Sequence, residues 1–174
     1  MPNSDYFITK ITIDDLDALI EISKKTFIAF FKKFNSDENL NNYVNKAFTT
    51  TKIHTENTNT NSEFYFAKHK NDIIGYLKLN LKTAQTELQD PNSLEIERIY
   101  VVENFIGKQV GQLLMKTAIK SALNKNLKYI WLGVWEHNLR AIQFYQKHNF
   151  TIFDTHIFKM GNDDQTDYLM KLKL

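Results

Sequence analysis

The stretch Leu94–Leu123, LEIERIYVVENFIGKQVGQLLMKTAIKSAL, decides the fold, because it joins a strand to a long helix through a glycine-bearing turn. Leu94–Val102 is rich in β-branched and aromatic residues, the composition of a strand. Its alternation breaks midway. Glu95 and Glu97 oppose Leu94 and Ile96, but the polarity changes phase from Arg98 onward. A bulge has that effect, since one extra residue moves every later side chain to the other face; a buried strand end gives the same pattern. Past the turn, Gln112, Lys116, Lys120 and Asn124 form a polar row at i, i+4 spacing. Val110, Leu114, Ala118 and Ala122 form an apolar row, and Met115, Ile119 and Leu123 a second. One wet edge and a wide apolar face predict a helix packed on a sheet. A glycine turn at a helix N-terminus also suits an anion, because free N–H groups and the helix dipole converge there. The turn is neither the dinucleotide fingerprint nor a Walker loop, and a plain strand-turn-helix connection accounts for it equally well.

Outward from this stretch, the chain reads as alternating layers. Tyr6–Ile11 is a strand, and Thr12 with Asp15 marks a helix start running to about Phe34. Ser36 caps a second helix carrying Leu40, Tyr43, Val44, Ala47 and Phe48. Residues 49–62 are rich in Thr and Asn, which compete with helical hydrogen bonds, so this segment is expected to be a loop or a poor helix, either an inert connector or a lid. Glu63–Lys68 and Ile73–Leu81 form a hairpin, and Thr83–Ser93 a loop. Lys128–Val134 is a strand, Asn138–His148 a short capped helix ended by Asn149, and Phe150–Met160 and Tyr168–Leu174 two last strands joined through GNDDQTD. The expected fold is α/β, with a mixed, mostly antiparallel sheet of about seven strands flanked by about four helices, in a single domain over residues 1–174.

Composition excludes several functions. The 174 residues are 43% hydrophobic and 13% aromatic, enough for a sizeable core. The net charge of +2, from 22 basic and 20 acidic residues, argues against a dedicated nucleic-acid binder. Without cysteine there is no disulfide framework, thiol nucleophile or cysteine metal site, and the five histidines lack metal-ligand spacing. No G-x-S-x-G elbow supports a serine hydrolase. No signal-peptide pattern and no membrane-length apolar run are present, so a cytoplasmic protein with no membrane partner is expected.

Three local patterns carry a resemblance. Ile106-Gly107-Lys108-Gln109-Val110-Gly111 is similar to the Q/R-x-x-G-x-G/A pyrophosphate loop of the GNAT superfamily of N-acetyltransferases. Asn138-Leu139-Arg140-Ala141-Ile142-Gln143-Phe144-Tyr145 matches that family's N-x-x-A-x-x-F-Y, and Asn149-Phe150 stands where the family usually has Gly-Phe. Ile106 departs from the usual Gln or Arg, and Gln109 from the usual middle Gly. LEIERIYV, VWEHNLRAIQFYQKHNF and the tail FKMGNDDQTDYLMKL further resemble the PaiA-type polyamine acetyltransferases. The resemblance spans essentially the whole chain and implies acetyl transfer from acetyl-CoA to a primary amine, such as spermidine or spermine, without a metal.

That reaction sets the residue assignments. Alkylamines have pKa near ~10.4 and thiols near ~8.5, so at neutral pH both proton transfers benefit from positioned groups. The resemblance makes Tyr145 the general acid toward the departing sulfur. Glu97 is the expected base, acting through water, with Glu95 and Glu136 as competitors. Ile99, Tyr100 and Val101 would hold the pantetheine arm as an added strand, and one of their N–H groups would serve the oxyanion. Gly107, Lys108, Gln109, Val110, Gly111 and Gln112 would carry the pyrophosphate. Asn138 would bond the pantetheine as well as cap its helix, and Lys147 would meet the 3′-phosphate. A polyamine site should be acidic, which makes Asp37, Glu38, Glu97, Glu136, Asp154 and Asp163 its candidates. The alternatives are a peptide N-terminal or other small-amine acetyltransferase, an acyl-CoA-binding regulatory domain with little catalysis, and a purely structural module. A monomer or a homodimer, paired through its last strands, fits the sequence.

Overall fold

The computed structural model describes residues 5–160 and 163–174, without the side chains of Phe158, Met160 and Asp163. Its elements run β1 (Tyr6–Lys10), α1 (Leu16–Phe31), α2 (Asp37–Ala47), α3 (Thr50–Thr58), β2 (Ser62–His69), β3 (Asp72–Leu81), β4 (Ser93–Val101), α4 (Val110–Asn124), β5 (Tyr129–Trp135), α5 (Leu139–Lys147), β6 (Thr151–Met160) and β7 (Asp163–Lys173). The strands form one seven-stranded sheet in the order β1-β2-β3-β4-β5-β7-β6. All pairs are antiparallel except β4 with β5. This is the mixed, mostly antiparallel sheet that the sequence predicts.

Each face of the sheet carries its own core. On one, the α4 residues Val110, Leu114, Ala118 and Ala122 are fully buried against Leu77, Leu79, Leu94 and Ile96 of β3 and β4. Ile130, Leu132 and Val134 of β5, with Ile142 and Tyr145 of α5, complete that core. On the other, Leu19, Phe27 and Phe31 of α1, Leu40 and Val44 of α2 and Ile53 of α3 pack on Phe64, Phe66 and Tyr76. The α4 polar row is exposed as expected, but Leu123 of its second apolar row is 54% exposed, because the helix ends one residue later beyond the edge of its core.

Two sequence expectations are decided or corrected by the structure. Of the loop or poor helix expected over residues 49–62, residues 50–58 form a helix, the fifth among the described residues where about four were expected. The Thr49 hydroxyl accepts from the Lys52 N–H at 3.2 Å as an N-cap, Ile53 is fully buried, and Glu56 is tied to Arg98 and Lys78. Tertiary contacts thus override the poor propensity of a Thr-rich segment. The stretch GNDDQTD is also not all loop: β7 begins at Asp163, so residues 163–167 pair with β6, and Asp167 pairs with Trp135 of β5. Gly161 and Asn162 lie outside the described residues.

The phase change in LEIERIYV is a true bulge. Lys78 pairs with Arg98 and Leu79 with Ile96, which leaves Glu97 as the extra residue on β4. The bulge turns Ile99 and Val101 toward the α4 core, while Tyr100 packs on the α1–α3 side.

Candidate active site

The site begins where the parallel strands part. β4 pairs with β5 only at Ser93–Tyr129, Leu94–Ile130 and Glu95–Trp131. Beyond Glu95 the two strands splay, and among the described residues no strand pairs with the β5-facing edge of β4 at Ile99, Tyr100 and Val101. An edge with unpaired N–H and C=O groups is the ordinary docking mode for an extended arm. Four of the expected residues therefore share this neighbourhood: these three and Glu97.

Directly after β4, a short 3-10 turn (Glu103–Phe105) leads to the N-terminus of α4. Gly107 has φ +81° and Gln109, the residue before the helix, has φ +68°. The left-handed conformation at position 109 explains why glycine is the usual occupant there, for a side chain in that region costs about 1 kcal/mol. The Gln109 side chain is exposed and makes no cap hydrogen bond. Among the described residues, nothing accepts from the N–H groups of Gln109, Val110, Gly111 or Gln112; the Leu113 N–H is the first to close a turn, onto the Gln109 carbonyl at 3.1 Å. Four free donors at a helix N-terminus match what a phosphate needs. A Cβ at Gly111 would stand 3.5 Å from the Phe144 ring, so the glycine seats α4 against α5. Lys108 is exposed in the turn, with its ammonium 5.3 Å from the centre of the Phe105 ring.

Across the splay, α5 presents Tyr145. Asn138 caps this helix, its Oδ1 accepting from the Ala141 N–H at 3.2 Å, and among the described residues nothing bonds its amide N–H₂. Tyr145 is 7% exposed, and among the described residues its hydroxyl has no hydrogen-bond partner. Burial pushes its pKa well above that of an ordinary phenol, so it stays protonated at neutral pH. Tyr100 is also raised, by burial first and then by its neighbours Tyr76, Tyr43 and Tyr145, which places the β4 tyrosine within electrostatic reach of the α5 one. Lys147 is exposed in the last turn of α5.

Glu97 lies in a buried charge network. Its carboxylate meets Lys78 Nζ, Arg98 Nη2 at 3.0 Å and Asn80 Nδ2 at 2.6 Å. Glu56 of α3 closes the ring, 3.0 Å from Lys78 and bidentate to Arg98 at 2.9 and 3.2 Å. Burial alone would raise the Glu97 pKa, but the Arg98 and Lys78 cations outweigh it and hold the carboxyl below its ordinary value. Glu95 differs. It accepts from the Thr86 N–H at 2.8 Å, the Thr86 hydroxyl and Asn80 at 3.0 Å, pairs with no cation among the described residues, and burial raises it. Asn80 Nδ2 thus joins the two carboxylates at the root of the splay.

The other expected acids are dispersed. Asp37 and Glu38 are exposed on the first turn of α2, and Asp154 is exposed and bonds its neighbour's N–H, on Thr155, at 2.8 Å. Glu136 is half-buried just past β5, 3.7 Å from His137, and the side chain of Asp163 lies outside the described residues. Sequence reasoning overlooked Asp167. It faces β5 beside Trp135, and its place in the tail motif was the available signal.

Known proteins resemble this chain in sequence and fold. The acetyltransferase (GNAT) family model matches residues 16–150. An uncharacterized N-acetyltransferase of Lactobacillus delbrueckii subsp. lactis is 40% identical over 167 residues, covering 96% of each chain. The spermidine N(1)-acetyltransferase of Thermoplasma acidophilum is 24% identical over 170 residues, 95% of this chain and 96% of that one. The crystal structure of the PaiA N-acetyltransferase of that organism with coenzyme A superposes at TM-score 0.81 with 24% identity, over 97% and 99% of the two chains. The fold is thus one that an N-acetyltransferase has. The chain belongs to the acetyltransferase (GNAT) family, and its function is N-acetyl transfer.

Proposed function

We propose that the protein, working as a single domain, transfers an acetyl group from acetyl-CoA to a primary amine of a polyamine such as spermidine or spermine. The observation that carries this reading is the Tyr145 hydroxyl, on a residue only 7% exposed, left without a hydrogen-bond partner among the described residues beside an unpaired strand edge. A phenol hydroxyl that no described residue engages is free to donate to a bound group. The amine acceptor is supported by the spermidine acetyltransferase relative, which is similar over nearly the full chain.

Acetyl-CoA supplies an acetyl thioester and a thiolate leaving group. Ile99, Tyr100 and Val101 bind its arm along the β4 edge. Gly107, Lys108, Gln109, Val110, Gly111 and Gln112 receive the pyrophosphate on the free donors of the turn, Asn138 offers its free amide to the arm, and Lys147 stands for the 3′-phosphate. The amine nitrogen attacks the thioester carbon, the C–S bond breaks, the amine proton passes through water to Glu97, and Tyr145 Oη gives its proton to sulfur. Solvent then returns a proton to Tyr145. A second reading gives the base role to Glu95. A carboxylate free of cations and raised by burial is better matched to accepting a proton than one held low by Lys78 and Arg98.

Thiol release from acetyl-CoA, followed with polyamines, monoamines and peptides as acceptors, tests the substrate. Turnover with polyamines at least tenfold faster than with peptides is expected; turnover with peptides alone would contradict the reading. Glu97→Gln and Glu95→Gln separate the two bases, since only loss of the true base abolishes the acid limb of the kcat/KM profile.

A further inference from the structure

β5 carries a glycine where the packing does not ask for one. Trp131, Gly133 and Trp135 alternate along one face of the strand, and Ile130, Leu132 and Val134 fill the other. Gly133 is exposed although its strand is internal to the sheet. A Cβ built there would meet Asp167 Oδ2 and Leu169 Cδ2, both at 3.7 Å, an ordinary contact. Its φ is not positive. The contrast with Gly75 is direct: a Cβ there would lie 2.7 Å from the Tyr100 carbonyl oxygen, so packing requires that glycine. At Gly133 the missing side chain leaves a notch instead.

The notch has an aromatic flank and an acidic one. Trp135 is half-buried at one end, edge-on to the half-exposed Phe34 at 4.8 Å; Trp131 at the other end is fully buried, its indole N–H held by Gln85 Oε1 at 2.7 Å, and supports the strand without lining the opening. Asp167 on β7 borders the notch, half-buried, and among the described residues its carboxylate has no hydrogen bond and no ion pair. On the rim, Glu87 stands 2.6 Å from His156 Nδ1 without hydrogen-bond geometry, and His156 pairs in register with Asp167. Two carboxylates and one imidazole leave the rim acidic. The notch sits two residues beyond Trp131, the last β5 residue paired with β4, and so opens on the splay.

We propose that the Gly133 notch is an ammonium subsite, in which Asp167 and the Trp135 indole bind a charged amine of the acceptor other than the one acetylated. This rests on the polyamine reading and deepens it. The attacking amine must be neutral, whereas the remaining amines of a polyamine stay charged near neutral pH and need a carboxylate and an aromatic face. An acceptor with a single amine gains nothing from the subsite.

Trp131 and Trp135 are the chain's only tryptophans, so intrinsic fluorescence reports on the notch directly. Spermidine titrated into the protein is expected to change tryptophan emission saturably. Asp167→Asn and Gly133→Leu should each weaken that response about tenfold or more. In turnover, both variants should raise KM about tenfold for spermidine and leave KM for a monoamine within about twofold, with kcat nearly kept. Circular dichroism and thermal melting check that the variants fold, and Gly133→Ala supplies a milder filling of the notch. Equal effects on polyamines and monoamines would overturn the subsite while leaving the polyamine reading intact. Saturable binding lost in Asp167→Asn, without any polyamine turnover, would uphold the subsite and sink the reading. No saturable tryptophan response to spermidine would overturn the subsite whatever the turnover.

Discussion

Glu97 and Asp167 are both partly sequestered carboxylates beside the splay, and their surroundings could hardly differ more. Glu97 is met by two cations and an amide, and Glu56 reaches over from α3 to balance the charge. Asp167 has neither a hydrogen bond nor an ion pair among the described residues. Their pKa directions follow: Glu97 is held low by Arg98 and Lys78 against its burial, while Asp167 is raised by burial, with His156 opposing and Glu87 reinforcing. A network that satisfies every member fixes the bulge and ties α3 to the sheet. A carboxylate left open leaves its attraction for a ligand.

The contrast breaks most visibly at Lys78. Lys78→Met removes a cation that is 5% exposed and shared by Glu56 and Glu97, and should destabilise the fold by about 3 kcal/mol in urea unfolding. Asp167→Asn should leave the unfolding midpoint nearly unchanged, because no partner is orphaned. If both variants cost the same, the distinction between a frame and a binding carboxylate fails.

The pH dependence of stability sharpens the same comparison with opposite signs. The depressed Glu97 contributes stability that is present above the unfolded carboxylate range and lost as pH falls through its lower folded value. Glu97→Gln should therefore narrow its deficit against the wild type on acidification. Asp167 is raised, so its contribution is present below the unfolded value and lost as pH rises through the folded one. Asp167→Asn should accordingly gain on the wild type as pH rises through and just above the carboxylate range. Parallel melting curves for the two variants against pH would contradict this assignment.

The smallest effect is expected at Gln109. Gln109→Gly relieves a side chain at φ +68° and should change stability by no more than about 1 kcal/mol, while lowering KM for acetyl-CoA. A rise in that KM would mean the Gln109 side chain itself helps to hold the cofactor.

Much of this was legible from the chain. The phase break at Arg98 fitted either a bulge or a buried strand end, and the strand pairing decides for the bulge, since period-2 alternation leaves one residue over when a strand bulges. The α4 rows predicted the helix face, and the N-x-x-A-x-x-F-Y pattern pointed to Tyr145 at the splay. What escaped was whatever depended on distant partners. The helix at residues 50–58 is held by Glu56, whose cations lie more than twenty residues further along the chain. Asp167 looked like one acid of a polar loop until the pairing with Trp135 put it in a strand. Gly133 sits in WLGVW without any turn signal, and its exposure within an internal strand is visible only in the fold.

The central claim is that Tyr145 gives the departing sulfur its proton. Tyr145→Phe, assayed by thiol release from acetyl-CoA with spermidine, tests it most directly. The account predicts a kcat lower by roughly 10²–10⁴, with acetyl-CoA binding and melting temperature essentially kept, since the hydroxyl bonds no described residue. Undiminished kcat in a folded variant that binds acetyl-CoA would contradict it.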